Sequence, residues 1–115
     1  MKKTKKNTVL KTCVAKAVEL GGLVDYAADS IVSKTIIDKP VGTITLFAFD
    51  AGQGLSEHQA PYDAVVQIVE GTGIIVINGK QIKSPAGSII IMPANIPHAV
   101  KAKQRFKMLL TMIRA

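Results

Sequence analysis

The chain has 115 residues, 48% of them hydrophobic, with two Tyr, three Phe and no Trp. This length implies one domain that buries about two-thirds of the surface its unfolded form exposes, around a core of Ile, Val, Leu and Met. The net charge of +7 sits mainly in Lys2, Lys3, Lys5, Lys6, Lys11 and Lys16, ahead of the first acid, Glu19, so the body is nearly neutral and its composition argues against a nucleic-acid protein.

Residues 1–8 hold too little apolar surface to pack and are expected to be disordered. In residues 9–20, Leu10, Val14, Ala17 and Val18 can share a helical face, which Gly21 and Gly22 would end. An edge strand followed by a turn is the alternative, because Thr and Val are frequent there. Lys11, Lys16 and Glu19 interrupt the apolar run before it reaches the length of a signal peptide. Nor does any segment approach the roughly twenty apolar residues of a membrane-spanning helix. Cys13 is the single cysteine, so an intrachain disulfide is impossible and a reducing cytoplasm is the expected location. Residues 1–29 therefore read as a basic N-terminal extension and residues 30–115 as the folded domain.

From Ser30 onward short apolar runs alternate with turn residues. Strands are expected at 30–37, 43–49, 65–69, 74–77, 81–83, 88–92, 98–101 and 106–113. Glu70-Gly71 is read as the turn closing the third, and Asn78-Gly79 as a type I′ hairpin turn, since both residues tolerate positive φ. In the third run Ala64, Val66 and Ile68 form the inward set and Gln67 points the other way. The spacing predicts an all-β antiparallel sandwich or barrel.

Ile74 to Ile77 and Ile89 to Met92 are apolar on both faces, whereas a strand with one solvated face should alternate. The last strand places Phe106, Met108, Leu110 and Met112 on one face yet keeps Leu109 and Ile113 on the other. A second copy of the chain is the expected cover, giving a homodimer through apolar sheet faces.

The two histidines, His58 and His98, lie in similar contexts: a glycine, an apolar run, a proline turn and the imidazole. Imidazole is a ligand for divalent metals near neutral pH. Simple alternation sets His58 opposite Leu55 and Glu57, so these cannot all point inward unless a bulge intervenes. Gly52, His58 and Gly71 match the spacing of the first motif of the cupin superfamily, and Gly87, Pro93 and His98 match the second. Over residues 42–113 the chain resembles a small cupin, which implies a cupin-type antiparallel β-barrel (double-stranded jelly roll).

The same resemblance assigns His58 and His98 to two of the four usual metal-ligand positions. Ala60 and Ala64 stand at the other two, Asn95 replaces a turn glycine and Ala102 replaces the final asparagine. Gln67, Asp63 and Glu57 are the nearby candidates for a third ligand, Gln67 being the most interesting and also readable as a hydrogen-bonded interface residue. Two functions follow. One is a site holding a divalent ion (Zn, Fe, Mn or Ni) that acts on or senses a small polar molecule. The other is a non-catalytic, metal-free pocket for a small ligand. No nucleophile–base pair is legible.

Overall fold

The structure, a computed structural model, describes residues 7–114. The disorder expected for residues 1–8 lies almost wholly outside the described residues. Nine strands run in chain order: β1 (Thr8–Val9), β2 (Ile31–Lys39), β3 (Gly42–Phe49), β4 (Gly54–His58), β5 (Asp63–Ile77), β6 (Lys80–Pro85), β7 (Ile89–Met92), β8 (His98–Lys101) and β9 (Phe106–Ile113). All neighbouring strands are antiparallel. The all-β barrel expected from the spacing is therefore present.

The expected break at Glu70-Gly71 is not a turn. β5 runs through it as one 15-residue strand, with a register shift between Ile68 and Glu70. The first half of β5 lies between β9 and β7, and the second half between β6 and β8. One strand thus serves both sheets of the jelly roll, and the bulge supplies the bend that carries it from one to the other.

Glycine permits the passage. Gly71 has φ +73°, and a Cβ there would collide with the Arg105 carbonyl oxygen. A Cβ on Gly73 would come within 2.5 Å of the Phe106 ring. Phe106 is fully buried and stacks on its cross-strand partner Phe49, with centroids 4.8 Å apart and planes 3° from parallel. Around this pair Ala64, Val66, Ile68, Ile75, Met92, Val100 and Met108 close the barrel interior. The alternation read along β5 holds, since Ala64, Val66 and Ile68 are buried and Gln67 is exposed.

No α-helix forms over residues 9–20. Thr8–Val9 is instead an edge strand on β2, followed by single 3₁₀ turns at Lys11–Cys13 and Leu20–Leu23. Ala15 takes φ 55°, which interrupts any helix, and β-branched residues there favour extended backbone. The segment that follows covers the outside of the first sheet. Val24 is buried with Leu46 and Ala48, and Leu23, Tyr26, Val69 and Leu109 pack around them. Part of the second apolar face is therefore covered by the chain's own N-terminal region, not by another copy.

A polar clamp holds that cover. The Tyr26 hydroxyl donates to Glu70 at 2.7 Å, and the buried Lys107 ammonium donates to the Gly21 carbonyl at 2.7 Å. Arg105 and Lys107 stand over the Tyr26 ring at 5.0 and 4.9 Å, within cation–π range. Burial, and then Glu70 as acceptor, push the Tyr26 phenol well above its ordinary pKa.

The crossing at Gly73 predicts a steep response to one methyl group. Gly73→Ala should destabilise the fold by about 1–3 kcal/mol, because the Phe106 ring has no free space to retreat into. A urea midpoint within error of the parent protein would refute this account.

Candidate functional site

His58 ends β4 and His98 begins β8, and the two residues are direct cross-strand partners. Three loops frame them. The Asn95 amide donates to the Ala60 carbonyl at 2.7 Å, and the Asn78 amide donates to the Pro97 carbonyl at 2.8 Å. The Ala94 amide donates to the Asp63 carboxylate at 2.9 Å. Asn78 and Asn95 both adopt positive φ, as the hairpin and turn readings require.

A bulge resolves the conflict in β4. Leu55 pairs with Val100 and His58 with His98, so three steps along β4 match two along β8. The extra residue lets Leu55 pack on the core while His58 still meets His98. His98 is 4% exposed and His58 is exposed. The pair therefore stands at a mouth of the barrel, one ring beneath the other.

The two Nε2 atoms are 3.2 Å apart. The rings are steeply inclined, at 73°, with centroids 4.4 Å apart, so the Nε2 atoms approach more closely than the ring centres. His58 Nδ1 lies 2.9 Å from the Ser56 carbonyl oxygen and His98 Nδ1 3.2 Å from that of Ile96. Carbonyls only accept, so each Nδ1 carries a proton and each neutral ring presents a lone pair at Nε2. Two such lone pairs repel at this distance. A proton or a metal ion between them relieves the repulsion.

Burial lowers the pKa of His98 below its ordinary value, and the adjacent His58 lowers it further, against a raising effect of the Ile96 carbonyl. His98 is thus held neutral, the form that ligates metals. Two imidazole nitrogens bound about 2.0–2.1 Å from a tetrahedral ion stand roughly 3.3 Å apart, close to the observed separation. The donor pair fits a divalent ion, with one side open to solvent.

A third protein donor is not brought in. Among the described residues no group of three His, Cys, Asp or Glu side chains could hold a metal. Gln67 sits on the outer face of β5, between inward-facing Val66 and Ile68, and its backbone pairs with Ile89 and Leu109. It does not join the histidines as a ligand, because strand alternation turns its side chain away from the interior. Asp63 is committed to the Ala94 turn, and Glu57 is exposed. Sequence reasoning missed the carbonyls of Ser56 and Ile96, each two residues before its histidine. The shared spacing was visible, but its meaning depends on backbone direction.

The family model for the cupin domain matches residues 45–113. The chain is a cupin. A conserved protein of unknown function from Streptococcus pyogenes has the same cupin fold, at 32% identity and TM-score 0.85, covering 99% of this chain and 96% of that one. A cupin 2 conserved barrel domain protein from Leptotrichia buccalis is 39% identical, with TM-score 0.79, over 82% of this cupin and 46% of its own length. The salicylate 1,2-dioxygenase of Pseudoaminobacter salicylatoxidans shares the fold at 19% identity and TM-score 0.68, over 81% of this cupin and 29% of that chain. A comparison with curated proteins finds no match.

The lowered pKa of His98 sets the sign of a pH dependence. The unfolded chain takes up a proton near the ordinary value of 6.5, while the folded chain resists it to lower pH. The resulting stability is complete above about pH 6.5 and is lost as pH falls through the folded-state value. Urea midpoints of chelator-treated protein should therefore fall between pH 7 and pH 5. His98→Gln should flatten that fall, and an identical slope in the variant would refute the assignment.

Proposed function

We propose that this cupin binds one divalent metal ion at the barrel mouth through His58 and His98 and uses the open side to hold a small polar molecule. The observation that carries the reading is the approach of the two Nε2 atoms to 3.2 Å, with both Nδ1 atoms facing carbonyls. A bound ion of this kind supplies Lewis acidity and orients oxygen ligands. The chain contributes the fixed tautomers, a buried neutral imidazole in His98 and an apolar floor. With Ala60 and Ala64 where ligands are usual in the family, protein donors number two, and affinity is expected to be modest.

The metal-free reading is favoured by a different observation. The barrel interior beneath the pair is packed with Phe49, Met92, Phe106 and Met108, so a ligand would rest on the mouth and not enter the barrel. In that reading the Nε2 atoms, the ring nitrogens not facing backbone carbonyls, accept hydrogen bonds from a small donor ligand directly. Cys13, the only cysteine of the chain, is free, and a reducing cytoplasm remains the proposed location. No helix among the described residues is long and apolar enough to cross a membrane.

Elemental analysis and calorimetric titration of untagged protein with Zn, Mn, Ni and Fe separate the two readings. One ion per chain is expected, with affinity reduced at least about tenfold in His58→Ala and in His98→Ala. Sub-stoichiometric metal in the parent protein would leave the metal-free reading, and equal binding in all three proteins would place the ion elsewhere.

The proposed quaternary state is a homodimer through a sheet face. Ile89 and Ile91 of β7 are 65% and 61% exposed, and among the described residues β7 is bonded only to β5. Exposed β-branched residues on an open edge favour self-association. Sedimentation equilibrium should return a dimer mass that Ile91→Glu converts to monomer. A concentration-independent monomer for the parent protein would refute the dimer.

A further inference from the structure

The sheet that carries His98 on its inner side has a basic groove on its outer side. Ile74 of β5 alternates with the buried Gly73 and Ile75 and is the cross-strand partner of Lys83 on β6 and Lys101 on β8. A hollow of about 400 Å³ lies over it, lined by Thr72, Ile74, Gln81, Lys83, Lys103 and Gln104. A neighbouring hollow of about 430 Å³ shares Lys103 and adds Lys101. No carboxylate lines either one.

The cations here are not spent on the protein itself. Among the described residues, Lys83, Lys101 and Lys103 take part in none of the ion pairs. Glu70, the acid nearest in sequence to Thr72, is held by Tyr26 and Lys107. Unpaired ammonium groups around a concave apolar floor focus positive potential and draw an anion from solution.

The placement of the lysines selects the kind of anion. Lys83 enters from β6 and Lys103 from the turn beyond β8, on opposite sides of β5. Two strand spacings, about 10 Å, separate those elements. A compact monoanion offers the groove a single charged end. A short chain with a carboxylate at each end reaches both, lays its methylenes on Ile74, and accepts further hydrogen bonds from the Gln81 and Gln104 amides and the Thr72 hydroxyl.

We propose that this outer groove binds a short-chain dicarboxylate, held end to end between Lys83 and Lys103. The site is independent of the histidine pair, which lies on the other side of the same sheet. The test is an NMR titration of the full chain with glutarate, against butyrate, inorganic phosphate and chloride at matched ionic strength. Glutarate should move the Ile74 methyl and the Gln81 and Gln104 side-chain amide resonances to saturation, with butyrate and phosphate binding about five- to tenfold more weakly. Lys83→Gln and Lys103→Gln should each weaken glutarate by a similar factor with unchanged unfolding temperature, both side chains being exposed. Equal responses to phosphate or chloride, unchanged affinity in either variant, or shifts centred on His98 would overturn the proposal.

Discussion

The passage of β5 over the Phe106 ring is the contact on which the barrel depends. A long strand can serve two sheets only if it bends, and here it bends where Gly73 leaves room for an aromatic ring that any Cβ would strike. Phe106 in turn stacks on Phe49, so the strand that changes sheets is seated on the centre of the core. The second half of β5 then pairs with β8, and Ile77 is the partner of His98. Placement of His98 is thus a consequence of how one glycine meets one phenylalanine.

At the mouth the same economy applies to two imidazoles. Each histidine faces a carbonyl two residues earlier in the chain, Ser56 within β4 and Ile96 in the bend before β8. This is a local device, needing only a carbonyl two residues before the ring, and it leaves the two Nε2 atoms 3.2 Å apart. The burial of His98 resists protonation, which keeps that lone pair available. Where four ligands are usual in the family, the chain has kept the two whose orientation is set by backbone and has alanine at the other two.

The N-terminal region changes the account of the outer surface. The apolar face of the first sheet appeared to require a second copy of the chain, but Leu23, Val24 and Tyr26 cover the part over Leu46 and Leu109. Lys107 illustrates why this was hidden. Its position on β9 between Phe106 and Met108 reads as a solvated charge, yet it is 7% exposed, its ammonium group donating to Gly21 and its stem packed under the cover. Apolar side chains stay exposed on β7 (Ile89, Ile91), at the end of β9 (Ile113), on β1 (Val9) and at Val41 in the turn between β2 and β3.

Much of the fold was legible in the sequence, because strand alternation, Asn-Gly turns and the two glycine–proline–histidine motifs are local or short-range signals. These identified the barrel, its inward residues along β5, and His58 and His98 as the pair to examine. The rest depended on contacts distant in sequence. Continuity through Glu70-Gly71 could not be read locally, since a glycine with positive φ serves equally as a turn or as a crossing, and only Phe106 decides between them. The β4 bulge that brings both Leu55 and His58 inward is a property of pairing with β8, not of β4 itself. Residues 9–20 carry a helical pattern beside the alternative of an edge strand and turn, and pairing of Thr8–Val9 with β2 decides for the latter. By itself the sequence determined which side chains are available to the site and, through alternation along β5, that Gln67 faces away from the inward set; the tertiary structure decided that His58 and His98 meet, because their pairing depends on the register of β4 against β8.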